Sequence, residues 1–262
     1  MRTFQSWFSN GVVGLAAALL LSFSAHAELL QVPTGRGDTV PVYWEKVEGA
    51  TATVFLFSGG NGRFKFNAQG EPRGKNFLIR SYRLFAERKV NVVVVGTREA
   101  VPEMSDDYRV KEHPADVRAI TKAIRELSDA PIWLVGTSRG SVSVVATANE
   151  DKEAMFSGVV ITSTFVEPKA QLSVVRLNVN NIRVPVLVYH HAADGCRAAK
   201  PADAKWAAKR FTASKTVAFV TVEGGEDDSD VCNSGHHSYM GMEEKAVTDI
   251  VNWINRPTNT GL

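Results

Sequence analysis

The sequence predicts an α/β fold: a mostly parallel central sheet covered by helices on both faces. Three observations lead there. Short β-rich runs alternate with helical stretches along the chain. Val92–Val95 and Val186–Val188 are unbroken apolar runs, as expected of central strands buried on both faces. No repeat of 20–50 residues and no low-complexity linker interrupts the pattern, so a single domain is expected.

The elements follow in order. Residues 1–27 read as a secretory signal peptide: Arg2 supplies a positive n-region, Gly11 to Phe23 are almost wholly apolar, and Ala25-His26-Ala27 is an A-x-A cleavage site. The apolar stretch falls short of the ~18–20 residues a membrane span needs. Residues 28–262 are then one domain, exported to the periplasm or secreted, with no membrane span in the mature chain. The whole chain carries a net charge of +2, and losing Arg2 lowers it by one. No strong field exists to recruit nucleic acid or anionic lipid.

Strands are expected at Thr39–Lys46, Thr51–Phe57, Val90–Gly96, Ile132–Gly136, Gly158–Thr162, Val184–His190 and Val217–Val222. Helices are expected at Asn76–Arg88, Pro114–Leu127, Gly140–Ala148, Pro201–Phe211 and Met242–Ile254. In the last, Ala246, Val247, Ile250, Val251 and Ile254 share a face. Pro114 suits a first helical turn, and His113 before it is expected to be exposed. Two glycine-bearing loops, Ser58–Lys75 and Glu223–Gly235, follow strands directly, where a parallel sheet builds its ligand site.

Gly136-Thr137-Ser138-Arg139-Gly140 matches G-x-S-x-G, between a strand candidate and a helix candidate. Such a turn puts the serine at a strained apex, and glycines two residues either side let strand and helix approach. A serine nucleophile needs a base, and the base an orienting carboxylate. Asp194 follows the Val184-Pro-Val-Leu-Val-Tyr-His190 strand, and Ser234-Gly-His-His-Ser-Tyr239 comes after the last strand.

These residues resemble the α/β-hydrolase superfamily, and more narrowly its small, lidless, exported bacterial esterase-like and dienelactone-hydrolase-like members, over about Thr39 to Ile254. The resemblance implies the α/β-hydrolase fold without a large lid, and a serine hydrolase of carboxylesterase type working through an acyl-enzyme. It implies Ser138, Asp194 and His237 as catalytic residues. The His-Ser-Tyr context favours His237 over His236. It further implies an oxyanion hole from the N–H of Arg139 and that of Gly60 or Asn61, although Ser58 replaces the family's histidine. No cofactor and no metal is called for. The partner implied is a small-molecule or polymer-end ester.

Cys196 and Cys232, the two cysteines of the chain, are expected to pair in an oxidising compartment. The bond would tie the loop of Asp194 to that of His237. His190 and His191 are read as structural, Asp227, Asp228 and Asp230 as a solvated acidic loop. Arg63, Lys65, Arg73, Arg98 and Arg139 are read as ordinary surface charge rather than an anion-attracting mouth. Two other readings stand beside the hydrolase. One is a catalytically silent binding protein on the same fold. The other is a metal site drawn from His190, His191, Asp194, Cys196, Cys232, His236 and His237.

Overall fold

The computed structural model describes residues 26–261 except Pro102 and Pro168. The expected signal peptide lies outside the described residues up to Ala25. Strands are β1 (His26–Pro33), β2 (Thr39–Lys46), β3 (Thr53–Phe57), β4 (Lys65–Phe66), β5 (Pro72–Arg73), β6 (Asn91–Val95), β7 (Ile132–Thr137), β8 (Gly158–Thr162), β9 (Val186–His191) and β10 (Val217–Val222). Helices are α1 (Phe77–Arg80), α2 (Tyr82–Glu87), α3 (Asp106–Lys111), α4 (His113–Arg125), α5 (Gly140–Asn149), α6 (Pro201–Ala208) and α7 (Glu243–Asn255).

Eight strands form one sheet in the order β1-β2-β6-β3-β7-β8-β9-β10, and β4 and β5 make a small separate hairpin. β2 runs antiparallel to both its neighbours, and every pairing from β6 to β10 is parallel. The middle strands β3, β6, β7, β8 and β9 are buried at every residue. Their valine-rich sequences suit that position, because both faces pack on helices.

The two faces are distinct cores. On one, Val117, Ile120 and Ile124 of α4, Val142 and Val145 of α5, and Ala204 and Ala207 of α6 pack on Phe55, Val93, Leu134 and Ile161. On the other, Phe77 and Leu78 of α1, Phe85 of α2, and Val247 and Ile250 of α7 pack on Leu56, Val94, Val135 and Leu187.

Several expectations need correction. The single helix over Asn76–Arg88 is two, because Ser81 leaves helical geometry (φ −106°, ψ 6°) between α1 and α2. Helix α3 was not foreseen. Ser105 caps it, its hydroxyl accepting the Tyr108 N–H at 3.1 Å, and Asp106 and Asp107 fill its first turn. Strand β1 was hidden by the leader motif, since cleavage after Ala27 would remove only the first two residues of this eight-residue strand. His113 is not exposed but 1% accessible, packed edge-on against Phe57 and stacked on Tyr108.

Candidate active site

Ser138 stands where β7 turns into α5. Its φ is +51°, left-handed backbone that a non-glycine residue adopts at a cost of roughly 1–2 kcal/mol. Its N–H donates to Thr162 O on β8 at 2.9 Å. The flanking glycines are required by contact. A Cβ on Gly140 would lie 2.2 Å from Phe57 O, and one on Gly136 would lie 2.5 Å from Gly140 O.

Asp194 follows β9, with its side chain fully buried. Its carboxylate accepts the Cys196 N–H at 2.9 Å and faces His237 Nδ1 at 2.9 and 3.1 Å. His190 Nε2 lies 3.4 Å away while bonded to Ala199 O at 2.8 Å. Burial pushes the Asp194 pKa up. The hydrogen bonds and charges of His190 and His237 outweigh it and hold the pKa at about 2. An ionised carboxylate only accepts, so His237 Nδ1 carries a proton, and in the neutral ring the lone pair is on Nε2.

His237 sits in a one-turn 3-10 segment, Gly235–Ser238, after β10. Its backbone carbonyl accepts the Ser163 hydroxyl at 2.7 Å. Tyr239, buried and left-handed (φ 56°), donates its hydroxyl to Tyr189 O at 2.9 Å and accepts the Ser163 N–H at 3.2 Å. The histidine loop is thus fastened to the ends of β8 and β9. His237 Nε2 is buried and has no hydrogen-bond partner among the described residues. His236 turns elsewhere: it stacks on His191 at 4.3 Å, with Nδ1 3.6 Å from Asp227.

Ser138 and His237 line one cavity of about 210 Å³. The Ser138 hydroxyl and His237 Nε2 are not hydrogen-bonded to each other. Gly59, Gly60, Asn61, Arg63, Lys75 and Asn76 also line it, and no Val, Leu, Ile, Met, Phe, Tyr or Trp side chain does. Gly59 presses on the elbow: a Cβ there would sit 2.9 Å from Ser138 Cβ. Gly60 follows with φ +57°, in a turn closed by the Gly62 N–H on Gly59 O at 3.0 Å. Among the described residues neither the Gly60 nor the Arg139 amide donates to another group.

Cys196 and Cys232 form a disulfide, and Cys232 lines the Ser138 cavity. Both sulfurs are therefore consumed, and His190, His191 and His237 each commit a ring nitrogen to a carbonyl or to Asp194. Among the described residues no group of three His, Cys, Asp or Glu is arranged to hold a metal ion. Of the five cations considered above, Arg63 reaches the cavity. Arg139 binds Asp106 and lies over Phe165, and Arg98 is buried against Asp38, Glu112 and Tyr108.

Sequence reasoning passed over Ser163 and Arg109. Ser163 had no local signal beyond following a strand. Arg109 lies in the helix that the Ser105 cap could have revealed.

The sequence matches no protein-family model and no curated protein. Solved structures do match. An esterase from Pyrococcus furiosus is similar with a TM-score of 0.66 at 12% identity, covering 94% of this chain and 96% of its own. A dienelactone hydrolase from Anabaena variabilis gives a TM-score of 0.60 at 14% identity, over 89% of this chain and 99% of its own. The protein Est1E from Butyrivibrio proteoclasticus gives 0.59 at 13%, over 88% and 98%. The chain has the α/β-hydrolase fold.

Proposed function

We propose that this chain is an exported serine hydrolase that cleaves short, polar esters through an acyl-enzyme. One observation carries the reading: Asp194 holds the His237 ring with its Nε2 unpartnered, in the same cavity as Ser138 on its strained elbow.

In this reading the Ser138 hydroxyl adds to the ester carbonyl while His237 Nε2 takes its proton, and Asp194 stabilises the imidazolium. The carbonyl oxygen, now negative, accepts the N–H groups of Arg139 and of Gly60 or Asn61. Collapse expels the alcohol, which takes the proton from His237. Water then repeats the sequence on the acyl-serine, returning the acid and Ser138. Export is supported by the apolar leader and by the Cys196–Cys232 bond, which suits an oxidising compartment.

The test is covalent labelling with a fluorophosphonate probe, beside hydrolysis of p-nitrophenyl acetate. The wild type is expected to be labelled on Ser138 and to turn over. Ser138→Ala should lose both. A folded wild type that is neither labelled nor active would point to a binding protein on this fold.

A further inference from the structure

Arg109, on α3, is completely buried, and no carboxylate lies within ion-pair distance of its guanidinium among the described residues. Nη1 donates to the Ser143 hydroxyl at 2.7 Å, Nη2 donates to Gly60 O at 3.1 Å, and Nε has no partner. The nearby acid on its own helix, Asp106, is spent on Arg139. An unpaired cation in the interior is costly, and an apolar side chain of similar volume would fill the space more cheaply. Burial lowers its pKa to about 9, Arg139 pushes the same way and Asp106 opposes, so the charge is still present at neutral pH.

The two partners show where that charge works. Gly60 lies in the loop after β3, and Ser143 lies one turn into α5, the helix that begins just after Arg139. Arg109 therefore joins the two elements that carry the candidate oxyanion donors. In a trans peptide the C=O and N–H point opposite ways. Holding Gly60 O toward the interior fixes the Asn61 N–H outward, while the Gly62-to-Gly59 bond fixes the plane carrying the Gly60 N–H.

We propose that Arg109 is a positioning residue of the oxyanion site: it clamps the Gly60 loop to α5 and places behind the donors a positive charge that is answered only when the substrate oxygen becomes negative. The inference rests on the hydrolase reading. Its physical basis is differential binding: a preorganised charge that meets its opposite in the transition state, and not in the ground state, raises kcat without tightening substrate. The other charged or titratable groups that act on this guanidinium, or it on them, are Arg139, Asp106 and His113, and none supplies a bonded counter-ion.

The test compares Arg109→Met, Arg109→Gln and Arg109→Lys in the full mature chain. Readouts are p-nitrophenyl acetate kinetics, inhibition by a trifluoromethyl ketone (which forms an oxyanion adduct on an active serine), and thermal melting. Loss of one direct oxyanion donor costs about 100- to 1,000-fold in kcat, so a residue acting behind the donors is expected to cost about 10- to 100-fold. Met and Gln should show that loss with KM within about two-fold of wild type, and a matching rise in the trifluoromethyl ketone inhibition constant. Lys, which keeps charge and a donor, should recover at least part of both. A folded Met or Gln variant with kcat within about three-fold of wild type overturns the proposal, as does a change confined to KM. Should the neutral variants fail to fold, Lys decides: kcat and inhibitor affinity falling together at constant KM support it, and any other pattern overturns it. Wild type unlabelled at Ser138 instead removes the hydrolase reading itself.

Discussion

The Cys196 amide donates to the Asp194 carboxylate at 2.9 Å, and the Cys196 sulfur is bonded to Cys232, five residues before His237. One covalent bridge thus reaches both the carboxylate and the loop carrying the imidazole. Closing a chain separation of 36 residues constrains the unfolded state by up to about 4 kcal/mol on the chain-entropy argument. In the double variant Cys196→Ala/Cys232→Ala, urea unfolding is expected to show a loss of about 2–4 kcal/mol. Ester hydrolysis at a temperature where the variant is folded should lose about ten-fold or more in kcat, because small displacements of a base cost large rate factors. An unchanged kcat there would mean the bridge serves the fold alone.

Acid stability separates two buried groups by pH window. His113 has neither ring nitrogen bonded among the described residues. Burial, with Arg109 and Arg36 adding repulsion, lowers its pKa from 6.5 to about 3. The unfolded chain binds that proton more readily, so stability is complete above pH 6.5 and declines as pH falls toward 3, by up to about 4–5 kcal/mol. Asp194, held at about 2, contributes above its unfolded value of 3.8, and its contribution of roughly 2 kcal/mol disappears as pH falls from there toward 2. Between pH 6.5 and 4 most of the slope therefore belongs to His113, with a smaller share from His191, whose pKa burial also lowers. Urea midpoints of His113→Leu should be much flatter across that window. A wild-type slope persisting in the variant would reassign it.

How much of this could be read beforehand follows local physics. The parallel strands were legible because burial on both faces demands unbroken apolar runs, as in Val92–Val95. The elbow was legible because its two glycines and the serine fall within five residues between a strand-like and a helix-like run, although the contact that requires Gly140 comes from Phe57 on β3. What stayed hidden depends on distant partners. His113 has an ordinary helix-start context, and it packs on Phe57 of β3, which is distant in sequence. The His-Ser-Tyr context favoured His237 over His236, but the ring that faces Asp194 is set by a partner more than forty residues away. Ser81 interrupts a helix whose apolar spacing continues across it, so periodicity alone shows no break.

The cavity beside Ser138 is small, about 210 Å³, and its walls are backbone, amides, hydroxyls, Arg63, Lys75, His237 and the disulfide. A long acyl chain would find no Leu, Val, Ile or Phe side chain there to pack against, so each added methylene contributes less than the roughly 0.8 kcal/mol that full burial would supply. Across p-nitrophenyl acetate, butyrate and octanoate, kcat/KM is expected to fall, with acetate at least about ten-fold above octanoate. A preference rising with chain length would place the acyl group in a different, apolar groove.

Gly140 and Gly60 separate two reasons for glycine within one site. At Gly140 the obstacle is contact: a Cβ would stand 2.2 Å from Phe57 O and 2.9 Å from Ser58 O, both backbone atoms that cannot swing aside. Accommodating it would push α5 from β3 and move Ser138 with it. At Gly60 no atom lies within 4 Å of the added Cβ, and the cost is the left-handed φ of +57° alone. Gly140→Ala is therefore expected to lose about 3 kcal/mol or more, or not to fold, and any folded fraction should be inactive. Gly60→Ala should lose about 1 kcal/mol and keep measurable turnover, since its N–H is unchanged. Thermal melts and p-nitrophenyl acetate rates decide the matter. If the two variants melted alike, the tight strand-to-helix approach that sets the Ser138 geometry would not be what the glycine at position 140 provides.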